Sequence, residues 1–245
     1  MSLDFDDDAF VLAARAHGES GAIVDLLTET HGRYVAHVPG GGSRKLRPFL
    51  QPGARVALNY RSRVSEQLGS ARIEPIGEGP AALFDDPLAL AGLAAAAAVA
   101  AGALPEREAH PGAFYAFEAL SAALLALETW PAVYVRFEAG LLQELGFGLD
   151  LSKCAATGDV DDLVWVSPRT GRAVSRKAGE PYADRLLVLP PFMLSSQQGL
   201  GPGDIRAGLL LTGHFLETFV FAVFNRPLPP SRVWMIDRLQ EAGRL

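Results

Sequence analysis

Few residues in this chain have the type and spacing that covalent chemistry needs. The single cysteine is Cys154, and the histidine that could act as its base is His214. A thiolate nucleophile needs such a base within hydrogen-bond reach, so this pair is the available enzyme reading. The competing reading makes Cys154 a small buried residue and places His214 on an apolar helix, bonded locally. No GxxxxGK[ST] loop, HExxH or GxSxG is present. The stretch GGGS at 40–43 is followed by Arg44 and Lys45, so it reads as a flexible basic loop and not as a phosphate cradle. The expectation is a binding protein and not an enzyme.

Binding chemistry is easier to find. The net charge is −6, from 22 Lys and Arg against 28 Asp and Glu, so the whole-protein field gives no reason to expect nucleic acid. Between residues 30 and 65, however, stand Arg33, Arg44, Lys45, Arg47, Arg55, Arg61 and Arg63, with no Asp or Glu among them. Proteins that hold single strands combine such cations along the backbone with aromatic faces on which bases stack. Tyr34 and Tyr60 are the nearest aromatics, and alternation assigns Tyr60 to the core.

The elements that must position these cations are short strands. Phe10–Arg15, Ile23–Thr28, Arg33–Val38, Val56–Arg63 and Ala71–Ile76 read as five, separated by polar or glycine breaks. Five strands in so short a stretch predict a small closed barrel, and periodicity leaves the OB and SH3-like versions both open. Near Gly77–Phe84 the composition turns alanine-rich, which predicts two domains, 1–80 and 81–245.

Beyond that boundary the chain reads as mainly helical. Asp86 and Pro87 open a helix whose Leu88–Leu104 run is uncharged, yet too short and too alanine-rich to favour a membrane. Helices over Gly112–Glu128 and Ala132–Leu145 follow, the latter ended by Gly146 and Gly148. Within about 150–190, LVWVS and GRAVS around Pro168–Gly171 predict a hairpin packed through Leu163, Trp165 and Val174. Asp204 is the expected N-cap of a long apolar helix to about Phe224, and Ser231 that of a last helix ending near Gln240.

One cysteine excludes an internal disulfide and any multi-cysteine zinc site. The acidic start MSLDFDDDAF lacks the pattern of a secretory signal, so a cytoplasmic protein is expected.

Three stretches carry a resemblance. Residues 136–162, RFEAGLLQELGFGLDLSKCAATGDVDD, are similar to the middle of the RecO family of bacterial recombination mediators. Residues 10–45, FVLAARAHGESGAIVDLLTETHGRYVAHVPGGGSRK, resemble that family's opening strands, and RPLPPSR at 226–232 its closing helical segment. The resemblance implies an N-terminal five-stranded OB barrel followed by a mainly α-helical domain with a small hairpin. It implies no covalent chemistry. It implies binding of single- and double-stranded DNA, annealing of complementary strands and, with RecR, loading of RecA onto strands coated by single-strand-binding protein, SSB, in the cytoplasm at the nucleoid.

Relatives also recognise the acidic, apolar-ended SSB tail, for which Arg136 is the candidate here. Many carry a four-cysteine zinc module. Cys154 matches its first position, but Thr157 stands in the second and the other pair falls near Ser175 and Ala178, so no zinc is expected. Two further readings stay open: a small-barrel RNA-binding or ribosome-associated protein, and a helical interaction scaffold with an incidental barrel.

Overall fold

The computed structural model describes residues 2–64, 67–77, 79–195 and 197–245. The chain divides into two compact units, Met1–Leu127 with Pro229–Met235, and Glu128–Leu228 with Ile236–Leu245.

The first unit is built on five strands: β1 (Leu3–His17), β2 (Gly21–Thr28), β3 (Gly32–Val38), β4 (Arg55–Ser62) and β5 (Gly69–Ile76). Their order is β1-β2-β3-β5-β4, and β1 returns to pair with β4, closing a barrel. All ladders are antiparallel except β3–β5. The core contains Val11, Val24, Leu26, Ala36, Val56, Leu58 and Tyr60.

The first strand begins at Leu3 and not at Phe10, because the acidic start itself alternates. Leu3 and Phe5 pack against the core, while Asp4, Asp6 and Asp8 take the other face. A bulge between Val11 and Ala13 re-aims the second half of β1. Two glycines are required by contact. Gly32 holds φ +86°, and a Cβ there would lie 1.8 Å from the Glu108 carbonyl oxygen. A Cβ on Gly69 would lie 2.3 Å from the Tyr60 ring.

This unit also holds the helices α1 (Pro87–Ala103) and α2 (Pro111–Ala126). Asp86 caps α1 by accepting from the Leu88 and Ala89 amides at 3.0 and 2.9 Å. Most of α1 is buried, as an uncharged alanine-rich helix in a packed interior should be. From α2, Phe114 and Phe117 both set their rings 5.0 Å from that of Phe10 on β1.

The second unit holds α3 (Trp130–Glu144), the strands β6 (Leu163–Val166), β7 (Ala173–Ser175) and β8 (Leu187–Val188), and the single turn α4 (Arg176–Gly179). It also contains α5 (Asp204–Phe215) and the end of α6 (Pro230–Glu241). The expected hairpin is β6–β7, and β8 extends it to a sheet ordered β7-β6-β8. Leu163 and Val174 are buried within it.

Gly146 ends α3 with φ +82°. The other glycine expected there, Gly148, serves a contact instead: a Cβ would lie 2.0 Å from Gln143 Oε1. On α3, Glu138 is fully buried and accepts 2.5 Å from Thr212 Oγ of α5.

Asp204 is not the N-cap of α5. Gly203, with φ +79°, occupies that position, and Asp204 Oδ2 accepts the Gly201 amide at 2.7 Å. The helix also does not run uniformly to Phe224, since a π turn spans Leu216–Phe221 and a 3-10 turn Ala222–Phe224. The stretch Asp204–Phe224 is long and apolar enough to cross a membrane by length and composition, but 50% of its apolar 18-residue window is buried in the protein. Ser231 lies inside α6, which opens one residue earlier at Pro230.

Candidate nucleic-acid interface

The β3–β4 connection carries three of the seven predicted cations. Its glycines are tied by backbone hydrogen bonds from Gly41 to Val38 (3.1 Å), Gly42 to Ser20 (2.9 Å) and Ser43 to Gly40 (2.9 Å). Leu50 is buried in the barrel core and anchors the far side of the loop. The loop is therefore held at both ends, more tightly than its glycine content suggests. Between these anchors Arg44, Lys45 and Arg47 are exposed. Arg63, beyond the end of β4, is exposed as well. None of these four forms an ion pair among the described residues.

The other three are committed to carboxylates. Arg33 donates from Nε and Nη2 to Asp25 at 2.9 and 2.7 Å, and from Nη1 to the Leu104 carbonyl at 3.1 Å. Burial pushes the Asp25 carboxyl above its ordinary range, against the pull of Arg33. Arg55 reaches Asp8 at 3.0 Å and Glu118 at 2.5 Å, with its guanidinium carbon 5.8 Å from the Phe10 ring centre. Arg61 meets Asp4 at 3.1 Å in an exposed pair. Acids absent from residues 30–65 thus arrive by strand pairing and helix packing. For Asp4 and Asp8 the visible signal was the alternation of Leu3 and Phe5 with Asp4, Asp6 and Asp8.

Both tyrosines face inward. Tyr34 and Tyr60 are 6% and 0% exposed, and with Phe5 they form a ring cluster with centroids 4.9 to 5.1 Å apart. Phe5 also stacks on His31 at 3.8 Å. Beside this stack, Asp7 Oδ2 accepts from Thr30 Oγ1 (2.8 Å), the Thr30 amide (3.1 Å) and His31 Nδ1 (2.7 Å). Burial raises the Asp7 carboxyl, but these donors outweigh it and hold the group below its usual range. The cluster seals the barrel end at the β2–β3 turn.

In the second unit, Cys154 and His214 each bond elsewhere. Ser175 donates its amide and hydroxyl to the Cys154 sulfur at 3.3 and 3.4 Å, while His214 Nε2 lies 3.1 Å from the Pro168 carbonyl. Burial raises the thiol, yet donors from Ser175 and Thr157 bring it down to about 6. With the residue 1% exposed and no histidine hydrogen-bonded to its sulfur among the described residues, this thiol is a hydrogen-bond acceptor inside the fold. Ser175, one of the positions set against the zinc module in the sequence comparison, thus donates to the sulfur directly. One thiolate with Thr157, Ser175 and Ala178 does not make a zinc donor set.

Arg136, half-buried on α3, donates from Nη2 to the Phe192 carbonyl and sets its guanidinium carbon 5.9 Å from the Phe192 ring centre. Two residues further along α3, Glu138 accepts from Thr212 Oγ1 of α5.

Two family models match the chain, "Recombination protein O N terminal" over residues 1–77 and "Recombination protein O C terminal" over residues 85–222. The chain belongs to the RecO family. A RecO from Phenylobacterium zucineum, named DNA repair protein RecO, is 78% identical over 99% of this chain and 100% of its own length. Relatives of the same name in Caulobacter vibrioides and Rhodospirillum centenum are 71% and 50% identical, over 100% and 98% of the chain and 98% and 96% of their own lengths. The RecO relationship therefore spans both the strands that carry the basic loop and the helices that carry Arg136.

Proposed function

We propose that this chain is a non-catalytic DNA-repair mediator. Its barrel, with the closed β1-β2-β3-β5-β4 order of an OB fold, binds single- and double-stranded DNA and anneals complementary strands. With RecR it helps load RecA onto SSB-coated strands in the cytoplasm. The domains that act are 1–80 for DNA and 81–245 for protein partners.

The observation that carries this reading is the set of exposed cations Arg44, Lys45 and Arg47, which form no ion pair among the described residues, on a loop anchored at both ends. Two phosphate backbones repel each other, and a basic surface that neutralises phosphates lets complementary bases meet without nucleotide hydrolysis. Arg63 adds a fourth charge. Arg33, Arg55 and Arg61 contribute less, since Asp25, Asp8, Glu118 and Asp4 already offset them.

The acidic, apolar-ended tail of SSB calls for a cation beside an apolar surface. Arg136 and the Phe192 ring offer that chemistry. Affinity for a tail peptide should fall in Arg136→Ala, and an unchanged affinity removes Arg136 from this role.

The reading is tested by fluorescence polarisation with a labelled single strand at low salt, using wild type and the Arg44→Glu, Lys45→Glu, Arg47→Glu variant. Binding by wild type that collapses in the variant supports it. A folded wild type that ignores DNA, or prefers RNA of the same sequence, overturns it.

A further inference from the structure

With Tyr34 and Tyr60 in the core, the basic loop needs other rings if bases are to stack beside it. The outer face of the barrel supplies them. Arg15, Ile23 and His37 stand in register across β1, β2 and β3, and His17 pairs with Gly21 in the next row. The His17 and His37 rings meet edge to face, 5.5 Å apart with planes at 71°. Gly21 makes room for them, because a Cβ there would lie 2.4 Å from His37 Nε2. His17 and Arg15 are exposed and His37 is half-buried. Arg15 forms no ion pair among the described residues.

This pair lies next to the loop in space as well as in sequence. His37 precedes the loop by two residues, and the Gly42 amide bonds to Ser20 in the turn that follows His17. The same turn and loop bound a groove of about 450 Å³ whose lining includes Arg15, Glu19, Gly21, Gly42 and Arg47.

We propose that the His17–His37 pair is a base-stacking platform for single-stranded nucleic acid, with Arg15 and Arg47 receiving the adjoining phosphates. This rests on the nucleic-acid reading above and adds a nonionic component to it. Stacking on a neutral ring releases no counterions, so it strengthens binding without steepening the salt dependence.

The test compares a labelled oligothymidine with an abasic oligonucleotide of equal length and charge, in a salt series at pH 8. Wild type should prefer the oligothymidine by about tenfold. The His17→Ala, His37→Ala variant should lose that preference and keep its salt slope. The His17→Tyr, His37→Tyr variant should keep the preference, since any aromatic face can stack. Equal loss of both ligands, a changed slope, or no effect of the alanine variant would overturn the platform while leaving DNA binding intact. Failure of wild type to bind either oligonucleotide would instead overturn the function proposed for the barrel.

Discussion

Asp4 stands opposite Arg61 across the β1–β4 ladder, with its Oδ2 3.1 Å from the guanidinium Nε. One strand thereby places acids on the face where its neighbour places bases. Asp6 meets Asn59 in the same way, and Asp8 meets Arg55 nearby. Sequence position suggested a basic segment, whereas strand register divides it into paired and unpaired cations.

That division predicts unequal mutations. Arg63→Ala should weaken single-strand binding and lower the salt slope, while Arg61→Ala should do so less. Asp4→Asn, which frees Arg61, should tighten binding. Because the Asp4–Arg61 pair is exposed, either change should alter stability by under about 1 kcal/mol. Polarisation titrations and denaturant unfolding of the three variants check this.

Asp7 is a structural acid. Asp7→Asn should cost roughly 2 kcal/mol at neutral pH, the scale of hydrogen bonds to a charged acceptor. The native carboxyl titrates below its unfolded value of about 4, so its stabilisation is complete above that pH and is lost as pH falls through the native value. The stability gap between wild type and variant should therefore narrow below about pH 4 in urea melts. A gap independent of pH would contradict this account of the barrel end.

Cys154 combines a thiol lowered to about 6 with 1% exposure. Alkylation should be limited by opening of the fold and not by thiolate population, giving slow labelling at pH 8 that becomes fast in denaturant. Cys154→Ala should leave DNA binding unchanged. Rapid native labelling, or loss of activity on replacement, would restore the thiol-enzyme reading. Purified protein should contain no stoichiometric zinc by metal analysis.

Gly32 has both a positive φ and a backbone neighbour in the way. Since main chain cannot swing aside as a side-chain tip can, Gly32→Ala should destabilise the first unit by more than about 2 kcal/mol. Thermal melts would show it, and a wild-type midpoint would mean the turn can rearrange.

Much of the architecture was legible because it depends on short-range pattern. Alternation located the strands, Asp86 marked the start of α1, and the turn Pro168–Gly171 marked the hairpin. What stayed hidden depends on distant partners. Nothing within residues 30–65 reveals that Asp25 would take Arg33 or that Glu118 on α2 would reach Arg55. Asp204 is a good N-cap by type, but glycine at 203 adopts the left-handed cap and makes Asp204 the first helical residue. His17 and His37 are separated by a whole strand, and only the register over Gly21 brings their rings together.

The central claim is that an anchored loop of unpaired cations neutralises nucleic-acid phosphates. Its most direct measurement is the dependence of log Kd on log salt for a single-stranded oligonucleotide, in wild type and in the Arg44→Ala, Lys45→Ala, Arg47→Ala variant. If each cation meets one phosphate, the slope should fall by about 2 in the variant. An unchanged slope with a folded variant would mean that these charges do not touch the strand, and the account would be wrong.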